Sequence, residues 1–483
     1  MKLSKLIHDA ANIDIGSLFT DSRNKVEKGM FFCIKGMLHD GHKFVEEAIE
    51  NGAICVVHSD ELNEAHKDVV YIQVDNVLET LNVVASLFYQ QPSHNLTVYG
   101  VTGTNGKSTI SLALKDIIDH FEPCGYMGTI SVEYGTIKRQ ASLTTPDVIE
   151  LHKNLADMVS ADMKSVTLEV SSHGLELGRV ASVDFDVAIF TNLTHDHLDF
   201  HGTMENYFES KATLFKNLVK GNIAVVNADD TYGRRLFNLT EAKLVSYGIE
   251  NPATYMASDI ELYPEYSTFT LECYEYKYQV KTNLVAKFNI YNVLAIIAAL
   301  HQKGYNLEEI IPILEHIRQI DGRVEVIDEG QSFQVIVDYA HTPDGFKQIY
   351  EYANSITKEG GRIITVFGSA GKRDTKKRAI LGEVSDHYCD MIILTEEDPR
   401  GESVIEICQE IAEGIQNTNY SIIEDRYAAI HQAVEIANSN DTILILAKGG
   451  DRFMSRAFGH EEWMGDDQAA KDVLHRYYLG EEE

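Results

Sequence analysis

T-V-Y-G-V-T-G-T-N-G-K-S-T, residues Thr97 to Thr109, is the stretch on which the reading of this chain turns. The apolar, β-branched run Leu96, Val98 and Val101 ends in Gly100, Gly103 and Gly106. Lys107, Ser108 and Thr109 follow at once and lead into a helix-like Ile110 to Ile118. That spacing predicts a strand, a glycine loop and a helix start. Such a loop turns backbone N–H groups into a hollow at a helix N-terminus, where unpaired amides and the positive end of the dipole favour a phosphate. Lys107 can reach the outer phosphates, and a hydroxyl from Ser108 or Thr109 can hold Mg²⁺. The strict P-loop has glycine at position 101, where this chain has Val101, so the pattern is a variant with differently spaced glycines.

Composition narrows the partners. At 483 residues the chain is long enough for about three domains with a large core. Forty-two Lys+Arg against 74 Asp+Glu give a net charge of −32. This charge argues against nucleic acid and anionic membranes, so a bound phosphate is expected on a small ligand in a local pocket. Six scattered cysteines show no C-x-x-C spacing, and the short polar start has no secretory character. A cytoplasmic protein is expected, with no membrane insertion.

Residues 1–93 read as a small α/β unit. Gly29–Ile34 and Ala53–Val57 are expected strands, Lys43–Asn51 a helix between them, and Val77–Tyr89 a second helix before a linker at Gln90–Ser93. Asp21-Ser22-Arg23 suits a phosphate or nucleoside contact, although turns use the same residues. Residues 94–320 contain the glycine loop, the hydroxyl-rich turn Leu143–Asp147, and the strand Ser165–Val170 with Glu169 near its end. A carboxylate at the end of a neighbouring core strand is where a magnesium ligand belongs in a nucleotide-binding α/β domain. The strand Val187–Phe190 leads into His195, Asp196, His197, Asp199 and His201. That cluster reads either as ligands or as a hydrogen-bonded loop in which one histidine matters. Its spacing also admits a zinc-dependent hydrolase, a rival that would need no ATP. Residues 321–483 alternate strand and helix as a doubly wound sheet, with ligands expected beyond the carboxyl ends of its strands.

One residue is out of place. On the expected helix Glu205–Lys220, Lys211 falls in the apolar stripe of Tyr207, Phe208, Leu214, Phe215 and Leu218. A lysine there commonly snorkels or pairs with an acid. Burial would instead lower its pKa, and an unprotonated amine can take up CO₂ as a carbamate, an added carboxylate facing Mg²⁺.

Gly103 to Thr109, Glu169-Val-Ser-Ser-His173, Asn192 to Gly202, Lys211-x-x-Leu214-Phe215, Phe288-Asn289-x-x-Asn292, Gly322-Arg323-x-Glu325 and Asp338 to Asp344 stand in the order and spacing of the Mur ligases, which the chain resembles over nearly its full length. The resemblance implies three α/β domains: a small N-terminal unit for UDP, a central P-loop ATPase-like unit, and a C-terminal Rossmann-like unit for the incoming amino acid. It implies a reaction in which ATP phosphorylates the D-glutamyl carboxylate of UDP-MurNAc-L-Ala-D-Glu and a diamino acid attacks the acyl phosphate, a step in making peptidoglycan precursors; separately, a monomer is expected. It implies that Gly103, Thr104, Asn105, Gly106, Lys107, Ser108 and Thr109 hold ATP, with Asn289, Asn292, Arg323 and Asp338 bordering the nucleotide. Thr109, Glu169, His197 and Lys211 would face two Mg²⁺ ions, with Lys211 as N6-carboxylysine. Ser22, Thr144, Thr145, Ser171 and Arg179 would hold the UDP substrate, and Arg373, Asp398, Arg400 and Asp451 the amino acid. Two positions depart from the family pattern: Leu177 stands where glutamine is expected, and Ala447–Asp451 replaces Gly-Lys-Gly-His-Glu. A folylpolyglutamate synthetase would share the ATPase half. Arg400 favours meso-diaminopimelate over L-lysine, because a bidentate partner for a distal carboxylate would otherwise be left unpaired. Against this, Asp398 adds negative charge that suits a distal ammonium and could engage Arg400 internally.

Overall fold

Three separate sheets organise the chain in the computed structural model, which describes residues 1–36, 39–62, 66–478 and 480. The first has four parallel strands in chain order, Ser17–Phe19, Gly29–Phe32, Ala53–His58 and Val70–Gln73. Met30, Phe31 and Phe32 have no exposed surface, as strands covered on both faces require. Helix Val77–Phe88 covers one face with Leu81, Val84 and Ala85, and Asn76 caps it by accepting from the N–H groups of Leu78 and Glu79. The helix expected over 43–51 is shorter, Val45–Glu50, because residues 41–44 form a tighter 3₁₀ turn in which the Asp40 carboxylate accepts from His42 N–H.

The second sheet has eleven strands, and Thr97–Thr102 lies inside it between Ser165–Glu169 and Val187–Phe190, all three parallel. Val101 is level with both Glu169 and Ile189, so the glycine loop, Glu169 and the histidine-bearing loop leave the sheet at the same edge. The central strand alternates between two cores. Tyr99 and Val101 pack against helices Lys107–Ile118 and Lys287–Lys303, while Val98 meets the side of Val148–Ser160 and Met204–Lys216. The expected ribbon over 268–284 is the hairpin Ser267–Cys273 and Tyr276–Thr282.

The third sheet runs Glu325–Ile327, Gln334–Asp338, Thr442–Leu446, Ile363–Phe367, Met391–Leu394 and Asn419–Ile422, parallel except for its first strand. Helices cover both faces, giving two further cores. Two hairpins carried no signal in the sequence: Ser131–Tyr134 with Ile137–Gln140, and Phe453–Arg456 with Gly459–Glu462. The outer strand of each is exposed and polar at nearly every position, so neither shows the alternation of a half-buried strand. No described helix is long and apolar enough to cross a membrane.

Candidate active site at the glycine loop

Two glycines shape the loop. Gly103 has φ +148 and Gly106 has φ +88, both outside the usual range of L side chains. A Cβ at Gly103 would stand 1.8 Å from Thr191 Oγ1, and one at Gly106 would stand 2.6 Å from Asn292 Oδ1. The loop is thus pressed between the next strand end and the start of helix Lys287–Lys303. Lys107 is half-buried rather than exposed. Its amine folds back to donate to Gly103 O at 3.0 Å and Thr104 O at 2.8 Å, and burial lowers its pKa.

Glu169 is fully buried and accepts from Ser108 Oγ at 2.9 Å, Tyr126 OH at 2.5 Å, and Thr129 N at 3.0 Å and Oγ1 at 3.1 Å. The hydroxyl on this carboxylate belongs to Ser108 rather than to Thr109. At the first turn of a helix, neighbouring side chains point about 100° apart, and that of residue 108 meets the strand carrying Glu169. Arg323 joins the same point, donating from NH2 to Ser108 Oγ at 3.2 Å with its guanidinium 4.5 Å from the Tyr339 ring centre. Tyr126 and Thr129 were missed from the sequence. Tyr126 lies within the strand Cys124–Met127 and Thr129 just after it, and both become visible only once that strand pairs with the one carrying Glu169.

Lys211 is 1% exposed. Its amine donates to Gly103 O at 2.8 Å, the same carbonyl that Lys107 uses, and stands 4.8 Å from the Tyr207 ring centre. Burial first, then the charge of Lys107, pushes its pKa far below the ordinary lysine range. His197 has φ +53, and burial pulls its imidazole down to about 3. It touches Asp196, whose carboxyl is pushed up by burial but held well below the usual range by the neighbouring His341 and by other nearby charges. The histidines of the 195–201 cluster face different neighbours: His195 meets Asp374, and His201 stacks on Tyr207. Among the described residues, they form no tight group of metal-ligating atoms. The group that does is Asp40, His42 and Asp60, in which His42 is already occupied by Asp40 and by the N–H groups of Ser59 and Asp60.

A cavity of about 420 Å³ opens beside the loop, lined by Asn105, Gly106, Asn192, Phe288, Tyr291 and Asn292 among others. Asn292 donates to Asn289, which donates to Val285 O, so the pair closes the helix start. Asp338 is buried and accepts from Val324 N and Ala340 N, and burial raises its pKa. Thr144 meets Thr129, while Thr145 binds Glu169 O and the Ser171 N–H, and Arg179 donates to Thr145 O at 2.9 Å. These four expected substrate residues converge beside Glu169. Ser22 lies in the first unit, bonded to Glu47. Leu177 caps the short helix after Ser171 and is 39% exposed.

In the third unit, Asp398 is 6% exposed and accepts from Lys448 Nζ at 2.8 Å, Arg400 NH2 at 3.0 Å, and Ser455 N at 2.9 Å and Oγ at 3.1 Å. Its negative charge is therefore engaged internally and is not spare for a distal ammonium. Arg400 is thus paired with Asp398, the internal partner that the sequence allowed. Asp451 pairs with Lys448 at 3.2 Å, and Arg373 is exposed.

Two lysines and a glutamate thus gather around a phosphate-type loop in a chain of three sheet-based units. Family models described as Mur ligase family, catalytic domain, Mur ligase middle domain, and Mur ligase, glutamate ligase domain match residues 14–89, 101–300 and 322–449. The chain belongs to the Mur ligase family. It is 38% identical over 475 residues to a UDP-N-acetylmuramoyl-L-alanyl-D-glutamate–2,6-diaminopimelate ligase of Halalkalibacterium halodurans, covering 97% of this chain and 96% of that protein. It is 39% identical over 460 residues to the protein of the same name in Clostridium tetani, covering 93% and 94%. A solved structure with that name superposes at TM-score 0.69 with 28% identity, covering 99% of both chains.

Proposed function

We propose that the chain is an ATP-dependent ligase that joins a diamino acid, meso-diaminopimelate, to the D-Glu carboxylate of UDP-MurNAc-L-Ala-D-Glu through an acyl phosphate. The observation that carries this reading is the meeting of Lys107 and Lys211 at one carbonyl of the glycine loop, beside a saturated Glu169. Forming an acyl phosphate brings two anions together, and a fixed cluster of cations and donors lowers that barrier. The names of the relatives support the substrates, and the converging Thr144, Thr145, Ser171 and Arg179 support a binding place for the UDP-linked carboxylate beside Glu169. The cavity at Phe288, Tyr291 and Asn292 suits the adenine of ATP, with Arg323 and Asp338 near its phosphates.

The donor set suits Mg²⁺, which prefers hard oxygen ligands. Ser108 and Glu169 offer one place, and His197 with a carbamylated Lys211 offers a second. Bound Mg²⁺ would supply charge neutralisation for the phosphate oxygens. Two amines on one carbonyl cannot comfortably both be ammonium, so Lys211 is the better candidate for the neutral amine that captures CO₂. Arg373 and Arg400 would hold the carboxylates of the amino acid, with Asp398 and Lys448 fixing Arg400 from behind. The three units would divide near residues 93 and 320.

The test is ligation of UDP-MurNAc-L-Ala-D-Glu with meso-diaminopimelate or L-lysine, alongside Lys107→Ala. Removing that cation is expected to cut phosphate release by at least ~10²-fold. Undiminished release would remove the glycine loop from the chemistry. Comparable turnover with L-lysine, unaffected by Arg400→Ala, would show that the arginine reads no substrate carboxylate.

A further inference from the structure

Two consecutive side chains after strand Val187–Phe190 reach from the middle unit to the C-terminal one. His195 Nε2 stands 3.0 Å from Asp374 Oδ2, and Asp196 Oδ2 stands 3.7 Å from His341 Nε2. The polarity alternates, imidazole to carboxylate and then carboxylate to imidazole, so the surfaces match in one register. A slip by one residue would set like groups face to face. Asp374 is 9% exposed, and its other oxygen accepts from Lys376 N at 3.0 Å, which fixes the carboxylate's orientation. Lys377 donates to His341 O at 2.9 Å, tying the second contact to the segment that carries the first. The two C-terminal loops involved follow strands Gln334–Asp338 and Ile363–Phe367, at the carboxyl edge where a doubly wound sheet presents ligands. Arg373 immediately precedes Asp374, and its charge is felt by His173 of the middle unit.

We propose that the His195–Asp374 pair, with Asp196–His341 beside it, is a positioning contact that seats the Arg373 loop against the glycine-loop unit and so presents the incoming amine to the activated carboxylate. The proposal rests on the ligase reading only for what is presented. The His195 side chain is 41% exposed, so the pair contributes little to stability. Its value lies in placement, since a misplacement of about 1 Å at a reacting centre costs ~10²-fold in rate.

The test uses the full chain with His195→Ala, Asp374→Ala, the double variant and His195→Gln, whose amide can still donate to Asp374. Each alanine variant is expected to lower kcat/KM for the diamino acid about tenfold, with KM for ATP unchanged, and the double variant to be no worse than either single. His195→Gln should recover most of the loss. Small-angle scattering with ATP present should give a larger radius of gyration for the alanine variants. Additive losses, single variants at wild-type rates, or an unchanged scattering profile would each overturn the proposal. His195→Ala, on a half-exposed ring, carries the test should Asp374→Ala fail to fold. Scattering needs no substrate identity, so a wild type that ligates neither amino acid would sink the ligase reading without being mistaken for failure of the contact.

Discussion

Lys211 and Lys448 are each 1% exposed, yet they sit in opposite environments. Lys211 donates to a carbonyl that a second lysine also uses, and its pKa falls far below the ordinary value. Lys448 lies between Asp398 at 2.8 Å and Asp451 at 3.2 Å. Burial alone therefore does not decide what a lysine becomes. Lys211 has no hydrogen-bonded acid, and desolvation favours its neutral amine; Lys448 has two carboxylates in contact to offset its burial. On the proposed function, the contrast separates a reactive group at the glycine loop from an ion-paired scaffold in the C-terminal unit.

The largest expected effect is at Lys211. Lys211→Ala should lower ligation by about four orders of magnitude, with partial recovery in acetate or another short carboxylate that stands in for the carbamate. Full activity after exhaustive removal of CO₂, with an unmodified amine by mass spectrometry, would break the contrast at its reactive end. At the other end, Lys448→Met leaves the Asp398 carboxylate buried with one cation fewer. A loss of about 3 kcal/mol in urea unfolding is expected, most of it returned by adding Asp398→Asn. A loss under about 1 kcal/mol would show that Arg400 and Ser455 suffice to hold Asp398.

A third buried base sharpens the comparison. His152 has no exposed surface, both ring nitrogens lack hydrogen-bond partners, and burial pulls its pKa down to about 4. Because the folded value lies below the unfolded one of about 6.5, the unfolded chain binds more protons in between, and stability rises with pH across that window. Between pH 7 and pH 5 the native chain should lose about 2 kcal/mol from this residue, and His152→Leu should remove that slope. An unchanged slope in parallel denaturation curves would mean that the ring finds a partner in solution.

Much of the architecture was legible because its signals are local. The strands at 97, 165, 187, 334 and 391 and the helices after 77, 107, 148 and 287 follow from apolar runs, glycine stops and caps, and each begins at or within a few residues of its expected start. The anomaly of Lys211 was equally local, since helical periodicity places it in an apolar stripe whatever it packs against. Edge hairpins lacked any such pattern.

What the sequence determined by itself was the list of chemically capable residues and the order of the three units, because periodicity, glycine spacing and motif order are properties of neighbours along the chain. Tertiary structure alone decided the partners. It set Ser108 rather than Thr109 on Glu169, brought Lys107 and Lys211 to one carbonyl, gave Arg400 the carboxylate of Asp398, and faced His195 with Asp374. The physical reason is that charge and hydrogen-bond energies depend on distances of a few ångströms between groups as far as 215 residues apart, which sheet register and domain packing fix and local sequence does not.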